Sequence, residues 1–245
     1  MKQPLISCIV PVFNGERYLA EALNSILAQT YRSLEIIVAD DGSTDATAAL
    51  VASYGDRVRY VWQPNTGPAA ARNLGLSVVQ GELVAFLDQD DLWHPEKLER
   101  QTARFVPGLE LDACVTHVQP FWIPELRHAA SQSRDHRLTR ALPGYLTGTL
   151  LARPSLFETV GLFDTALRYG DAMDWFLRAA DHGVTIELLP DVLMYHRIHH
   201  NNFSRLHASA SGNEFLHILK QSLDRRRRVR MGMPLSYKFS RSDCR

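Results

Sequence analysis

The chain has 245 residues, 45% hydrophobic and 22% charged, enough to bury a large core as one domain or as one domain with a small appendage. Its 27 basic and 27 acidic residues cancel, so no global charge points to nucleic acid or to an acidic partner. Cys8, Cys114 and Cys244 are odd in number and widely spaced, which argues against a disulfide framework or a thiolate zinc site and fits a reducing cytoplasm.

The N-terminal run MKQPLISCIVPVF lacks a basic leader and a small-residue cleavage site, so it reads as a first strand rather than a signal peptide. No stretch approaches the roughly 18 apolar residues of a membrane span. Residues 5–12 are rich in β-branched side chains and end at Pro11-Val12-Phe13-Asn14. Leu19, Ala22, Leu23, Ile26 and Leu27 then follow the spacing of one helix face. Residues 34–39 predict a second buried strand, ending in Asp40-Asp41-Gly42-Ser43, with Ser43 or Thr44 as cap of a helix from Asp45. Residues 58–62 predict a third strand, 67–79 a helix, 83–87 a fourth strand, 95–105 a helix and 113–118 a strand.

From 119 to 143, Pro120, Pro124 and a run of Ser, Arg and His predict a long, mobile loop. Beyond it, 144–153 is strand-like, 154–160 a short helix and 172–182 a clear helix. Residues 184–189 and 192–197 predict two closing strands, and 212–230 a helix before a polar tail.

Strands that are apolar throughout and alternate with helices imply an α/β fold with a mostly parallel sheet flanked by helices. Ligands collect at the carboxyl ends of such strands. There the chain places Phe13-Asn14, Asp40-Asp41 and Asp88-Gln89-Asp90, from three different strands.

Asp88 and Asp90 are two apart, so an extended segment points both carboxylates one way and Gln89 the other. Paired carboxylates suit a hard divalent cation that keeps several waters and neutralises a departing diphosphate; taken alone, such a triplet is far more often an acidic turn capping the next helix. Asp41 can accept from a nucleobase N–H or close its own Asp-Gly-Ser-Thr turn. Arg72 can meet a phosphate or base, or be an exposed helix arginine.

Val10-Pro11-Val12-Phe13-Asn14, DDGSTD at 40–45, Gly67 with Ala71-Arg72-Asn73, and FLDQDD at 86–91 with Trp93, Pro95 and Leu98 together resemble the family 2 glycosyltransferases of GT-A fold, over roughly residues 4–105. The resemblance implies a Rossmann-like GT-A sheet with a smaller C-terminal acceptor-side subregion. It also implies transfer of a sugar, with inversion, from a nucleoside-diphosphate sugar (a UDP-sugar by preference) to a hydroxyl. The cofactor implied is Mn2+ or Mg2+, held by Asp90 with Asp88. Pro11, Val12, Phe13, Asn14, Glu16, Asp41, Gly67, Arg72, Asp88 and Gln89 would line the donor site. The acceptor would be a saccharide, a lipid-linked or another hydroxyl compound, in polysaccharide, cell-wall or glycoconjugate synthesis.

The second half carries Val160-Gly161-Leu162-Phe163-Asp164 and Gly170-Asp171-Ala172-Met173-Asp174-Trp175-Phe176-Leu177-Arg178, which resembles the family segment whose Glu-Asp pair supplies the general base. Aligning on Leu177-Arg178 puts Ala172 at the base position, and an alanine cannot take a proton. Helix geometry offers substitutes: Met173, Phe176, Leu177 and Ala180 predict the apolar face, with Asp171, Asp174 and Arg178 opposite. Asp171 and Asp174 are the candidate bases, Asp171 ahead because it sits at the loop–helix junction, and Arg178 orients Asp174. In Tyr195-His196-Arg197-Ile198-His199, Arg197 and His199 are the expected donor-side contacts.

The expected organisation is a catalytic domain over 1–210, divided into a donor half at 1–118 and an acceptor half at 119–210, followed by a helix and basic tail at 211–245. Arg225–Arg228 and Arg230 beside Phe215, Ile218, Leu219 and Leu223 leave open a peripheral contact with the inner face of a membrane, and a homodimer stays open as well. Two rivals remain: a nucleotidyltransferase, and a donor-binding protein that has lost catalysis, which Ala172 favours.

Overall fold

The computed structural model describes residues 3–106, 108, 110–126, 128, 139–202 and 208–230. Four parallel strands, β1 (Ile6–Val12), β2 (Leu34–Asp40), β3 (Arg59–Trp62) and β4 (Leu83–Phe86), lie in the order β3-β2-β1-β4. The same sheet continues from β4 through β8 (Leu151–Ala152), β6 (Ala113–Trp122), β9 (Ile186–Ile198) and β5 (Leu92–Trp93), with β7 (Leu142–Pro143) paired to β6.

Every residue of β1 is buried because both sheet faces are covered. Its alternation divides it between two cores. Ile6, Cys8, Val10 and Val12 pack with Leu19, Ala22, Leu23 and Ile26 of α1 (Leu19–Leu27), while Ile9 faces Phe86, Phe157, Phe163 and Trp175. Pro11 sits in this central strand at no cost to the ladder. Val12 O accepts from Asp41 on the β2 side and Ile9 O from Leu87 on the β4 side, so alternation turns the missing N–H of Pro11 to the β4 side, past the end of that pairing at Phe86.

The remaining helices are α2 (Thr47–Ala52), α3 (Pro68–Leu76), α4 (Lys97–Thr102), α5 (Ser155–Val160), α6 (Asp171–Asp181) and α7 (Ala208–Arg230). α2 starts two residues later than expected and is not capped by Ser43 or Thr44; Asp45 Oδ1 accepts from Thr47 N at 3.0 Å instead. Residues 119–122, expected in a loop, extend β6 along the whole of β9. Residues 129–138, the centre of that expected loop, and the tail after 230 lie outside the described residues. The strand expected over 144–153 is a 3-10 turn at Thr147–Thr149 and the two residues of β8. The two closing strands are one, β9, whose register slips as Leu189 pairs with Thr116 and Val192 with His117. Pro190 and Asp191 fall in that slip, where proline's missing N–H does least harm.

Candidate active site

The carboxyl ends of β1, β2 and β4 form one rim, and their loops are sewn together by side chains. Gln89 grips the backbone of Phe13, accepting from its N at 2.8 Å and donating to its O at 3.2 Å. Asn14, at φ 50°, donates its N–H to Ser43 Oγ and accepts from Thr44 N, both at 2.8 Å. Glu16 accepts from Ala46 N at 3.0 Å. Asp41 is buried, and its carboxylate receives Gln63 Nε2 at 2.7 Å, Thr66 N at 2.9 Å and Gly67 N at 2.7 Å. Gly67 needs its glycine, because φ is 111° where it leads into Pro68 and α3.

Of the residues expected at the donor, Pro11 and Val12 bury their side chains in the sheet, and only their backbone reaches the rim. Gln89, Asn14, Glu16 and Asp41 spend polar atoms on neighbouring loops, so they shape the rim. Phe13, 46% exposed, presents a free aromatic face there.

Arg72 of α3 is almost fully buried. Its Nη2 lies 2.8 Å from Asp88 Oδ1 and its Nη1 2.5 Å from Asp171 Oδ2. Burial opposes the charge on Arg72, but Asp171 and then Asp88 outweigh it and raise its pKa. Burial also raises the pKa of Asp171, which Arg72 counteracts. Next along α3, Asn73 donates to Phe163 O at 2.8 Å and accepts from Phe163 N at 3.0 Å. Two consecutive residues therefore tie α3 to the segment from Phe163 to Asp171.

Asp90 points elsewhere, with Oδ2 2.8 Å from His199 Nε2; the imidazole is 5.0 Å from the Tyr18 ring. A carboxylate oxygen beside an imidazole nitrogen is a donor set that suits a divalent ion of the Mn2+ type, with water or phosphate oxygens completing the shell, while Asp88 is engaged by Arg72. Among the described residues no group of three or more His, Cys, Asp or Glu side chains converges as a metal cluster, so an ion bound here would need non-protein ligands.

Asp91 is buried. It accepts from Arg197 N at 2.9 Å and meets His196 Nδ1 at 3.0 Å. Burial raises the pKa of Asp91 against the pull of His196, and the Asp91 carboxylate raises that of His196. Arg197, expected at the donor, is turned into the protein. Its Nε donates to Asp90 O at 2.8 Å, its Nη2 pairs with Glu21 at 2.8 Å, and its guanidinium lies between the rings of Tyr18 and Phe121. It pins the 88–91 loop to β9.

The inward stripe of α6 is not the apolar set expected. Asp171, Asp174, Trp175, Phe176, Arg178 and Ala179 are buried, whereas Ala180 is exposed. Arg178 orients Asp174 as expected, Nε to Oδ2 at 2.7 Å, and its other nitrogens reach Val160 O and Leu162 O. Asp174 is 3.6 Å from Arg225 of α7. Its carboxylate therefore faces the α6–α7 seam, and Asp171 alone of the two joins the rim. The sequence reading missed Tyr18, Glu21 and Gln63, which orient His199, Arg197 and Asp41; nothing local to them signals a partner so far away in the chain.

A sequence model described as glycosyl transferase family 2 matches residues 7–163. An uncharacterized glycosyltransferase of Rickettsia typhi is 38% identical over 75% of this chain, and one of Rickettsia prowazekii 34% over 90%. The chain spans 63% and 70% of those two relatives. Among solved structures, S. aureus TarS 1–349 in complex with UDP-GlcNAc superposes with a TM-score of 0.65 at 24% identity, covering 81% of this chain and 60% of that one. A Pyrobaculum calidifontis mannosyltransferase in complex with GDP-Man and Mn2+ gives 0.61 at 24% identity, covering 84% and 60%. With the GT-A fold shared and the family's sequence pattern running through the rim and on to Phe163, this chain belongs to glycosyl transferase family 2.

Proposed function

We propose that the protein is a metal-dependent, inverting glycosyltransferase that moves a sugar from a nucleoside-diphosphate donor to an acceptor hydroxyl. The observation that carries this reading is the chain Asp88–Arg72–Asp171, which links the rim to the acceptor side. UDP-GlcNAc in one structural relative and GDP-Man with Mn2+ in another support a nucleotide-sugar donor and a divalent ion. Phe13 offers a flat apolar face to the base, and Asp90 with His199 would hold the ion beside the diphosphate. Bound there, Mn2+ or Mg2+ supplies charge neutralisation to the leaving group. Asp171 accepts the proton of the acceptor hydroxyl as that oxygen bonds to the anomeric carbon and the bond from this carbon to the diphosphate breaks. Arg72 opposes the rise that burial imposes on the pKa of Asp171, which favours the ionised form that a base requires.

Ala172 favours a second reading, a donor-binding protein without turnover. Thermal shift with Mn2+ and a panel of UDP- and GDP-sugars identifies the donor, since a ligand stabilises the fold by mass action. Nucleoside diphosphate release with and without acceptors then separates the readings: binding without release across the panel supports the second. Release of pyrophosphate instead would indicate nucleotidyl transfer.

Leu216, Leu219 and Leu223 stand 68%, 42% and 57% exposed on the outer face of α7, beside Arg226 and Arg227. Apolar residues flanked by cations support peripheral contact with an anionic bilayer, where a lipid-linked acceptor of cell-wall or polysaccharide synthesis would lie. A second copy is the weaker fit, because Gly212 and Arg226 occupy the adjoining seam positions. Cys8 and Cys114 are free and buried, which supports a cytoplasmic setting.

A further inference from the structure

We infer that Glu214 of α7 is a positioning residue for the transfer site, holding the 168–171 loop so that Asp171 meets the donor half of the sheet. The inference rests on the reading of Asp171 as the base.

Three successive backbone N–H groups point at the Glu214 carboxylate: Arg168 N to Oε2 at 3.0 Å, Tyr169 N to Oε1 at 2.7 Å and Gly170 N to Oε1 at 2.6 Å. These donors precede the first turn of α6, where N–H groups have no partner within the helix. An ionised carboxylate satisfies all three and is favoured there by the helix dipole. Packing fixes the same approach. A Cβ at Gly170 would overlap Ile218 Cδ1 of α7 and lie 3.2 Å from Phe215 Cδ1, so a larger residue would have to push these side chains aside.

From this support the loop reaches the rim at two points. Asp171 takes Arg72, and the Arg168 guanidinium lies over Gly67, with Nη1 3.2 Å from where a Cβ would stand. Farther along α7, Arg225 and Arg226 pair with Asp181 at 2.9 and 2.8 Å, at the other end of α6. α7 thus holds α6 at both ends, and only its Glu214 end bears on the loop that carries the base.

The test uses the full chain with Mn2+ and UDP-GlcNAc or GDP-mannose, whichever binds, and three variants. Glu214→Gln retains one acceptor oxygen and should lower kcat about 10-fold. Glu214→Ala retains none and should lower it about 100-fold, a cost typical of a misplaced catalytic group, with donor KM within about twofold. Arg226→Ala loosens the same helix at its other end, where Arg226 pairs with Asp181, and should leave kcat unchanged. In both Glu214 variants, hydrogen exchange at the amides of 168–170 should accelerate selectively. Unchanged kcat in both variants with Asp171→Asn inactive would overturn the positioning role, as would an equal loss in Arg226→Ala or unaltered exchange at 168–170. Full transfer by Asp171→Asn alongside a kcat loss in Glu214→Gln would instead remove the base assignment and leave the positioning role standing.

Discussion

Arg72 and Asp171 meet at 2.5 Å across 99 positions of sequence, both buried. Asp88 holds the other end of the same guanidinium, so one side chain joins the loop after β4 to the start of α6. Arg72→Met leaves a buried carboxylate without its counter-charge, and loss of one partner of a buried pair costs about 3–5 kcal/mol. Urea denaturation should show a loss of that order, with transfer falling at least as far as in Asp171→Asn. A loss below about 1 kcal/mol would mean that the pair is surface-like in solution.

The two aspartates of α6 should separate cleanly. Asp171→Asn is expected to cut transfer by about 100-fold or more while donor binding stays within a few-fold. Asp174→Asn should lower the melting temperature and leave kcat largely intact, because its carboxylate is held by Arg178. Steady-state kinetics beside thermal melts checks both; the reverse pattern would transfer the role to Asp174. Ala172→Asp restores a carboxylate at the position that family register assigns to the base, and a gain in turnover is expected.

At the rim, His199→Ala and Asp90→Asn should each weaken Mn2+ binding about 10-fold or more in the presence of nucleoside diphosphate, measured by calorimetry. Arg197→Ala should act differently. It releases the 88–91 loop from β9 and lowers stability and Mn2+ affinity together. Identical Mn2+ isotherms for wild type and His199→Ala would remove the imidazole from the ion's shell.

Lys97 is fully buried. Its Nζ has no hydrogen-bond partner among the described residues and lies 4.2 Å from the centroid of the Trp93 ring. Burial lowers its pKa from 10.5 to about 7. Between about pH 7 and pH 10 the unfolded chain therefore holds a proton that the native one has shed, so this group makes stability rise with pH across that window and adds no slope below about pH 7, where both states hold the proton. The slope has a ceiling of about 1.4 kcal/mol per pH unit. Lys97→Met should be the more stable protein at pH 6–7, with the difference shrinking toward pH 10, as read by urea denaturation at several pH values. Parallel pH profiles for the two proteins would show that Lys97 titrates normally.

On the outer face of α7, replacing Leu216, Leu219 and Leu223 by Ser should abolish co-sedimentation with vesicles containing phosphatidylglycerol without lowering the melting temperature, since all three are exposed. Absence of binding by the wild-type protein at low salt would end the membrane reading.

The strands of the first half were legible because β1, β2 and β4 are apolar along most of their length, and their residues face packed helices on both sides. Their carboxyl ends could be assigned to one rim because parallel topology brings such ends together. The second half was harder to read. β9 was divided in two at Pro190, because a proline signals a break locally although the bulge absorbs it. The inner face of α6 was misjudged because Asp171, Asp174 and Arg178 are polar by type yet buried as paired charges.

Hydrophobic periodicity and chain order were enough to read the α/β class, the parallel sheet of the first half and the bunching of carboxylates at its rim. What each charged side chain does there depends on packing across the fold. Asp171 turns to Arg72, Asp174 to Arg178 and Arg197 to Asp90 and Glu21, while Glu214 reaches back to residues 168–170. A buried charge must find its partner wherever packing brings one, and for most of these that partner is far away in sequence.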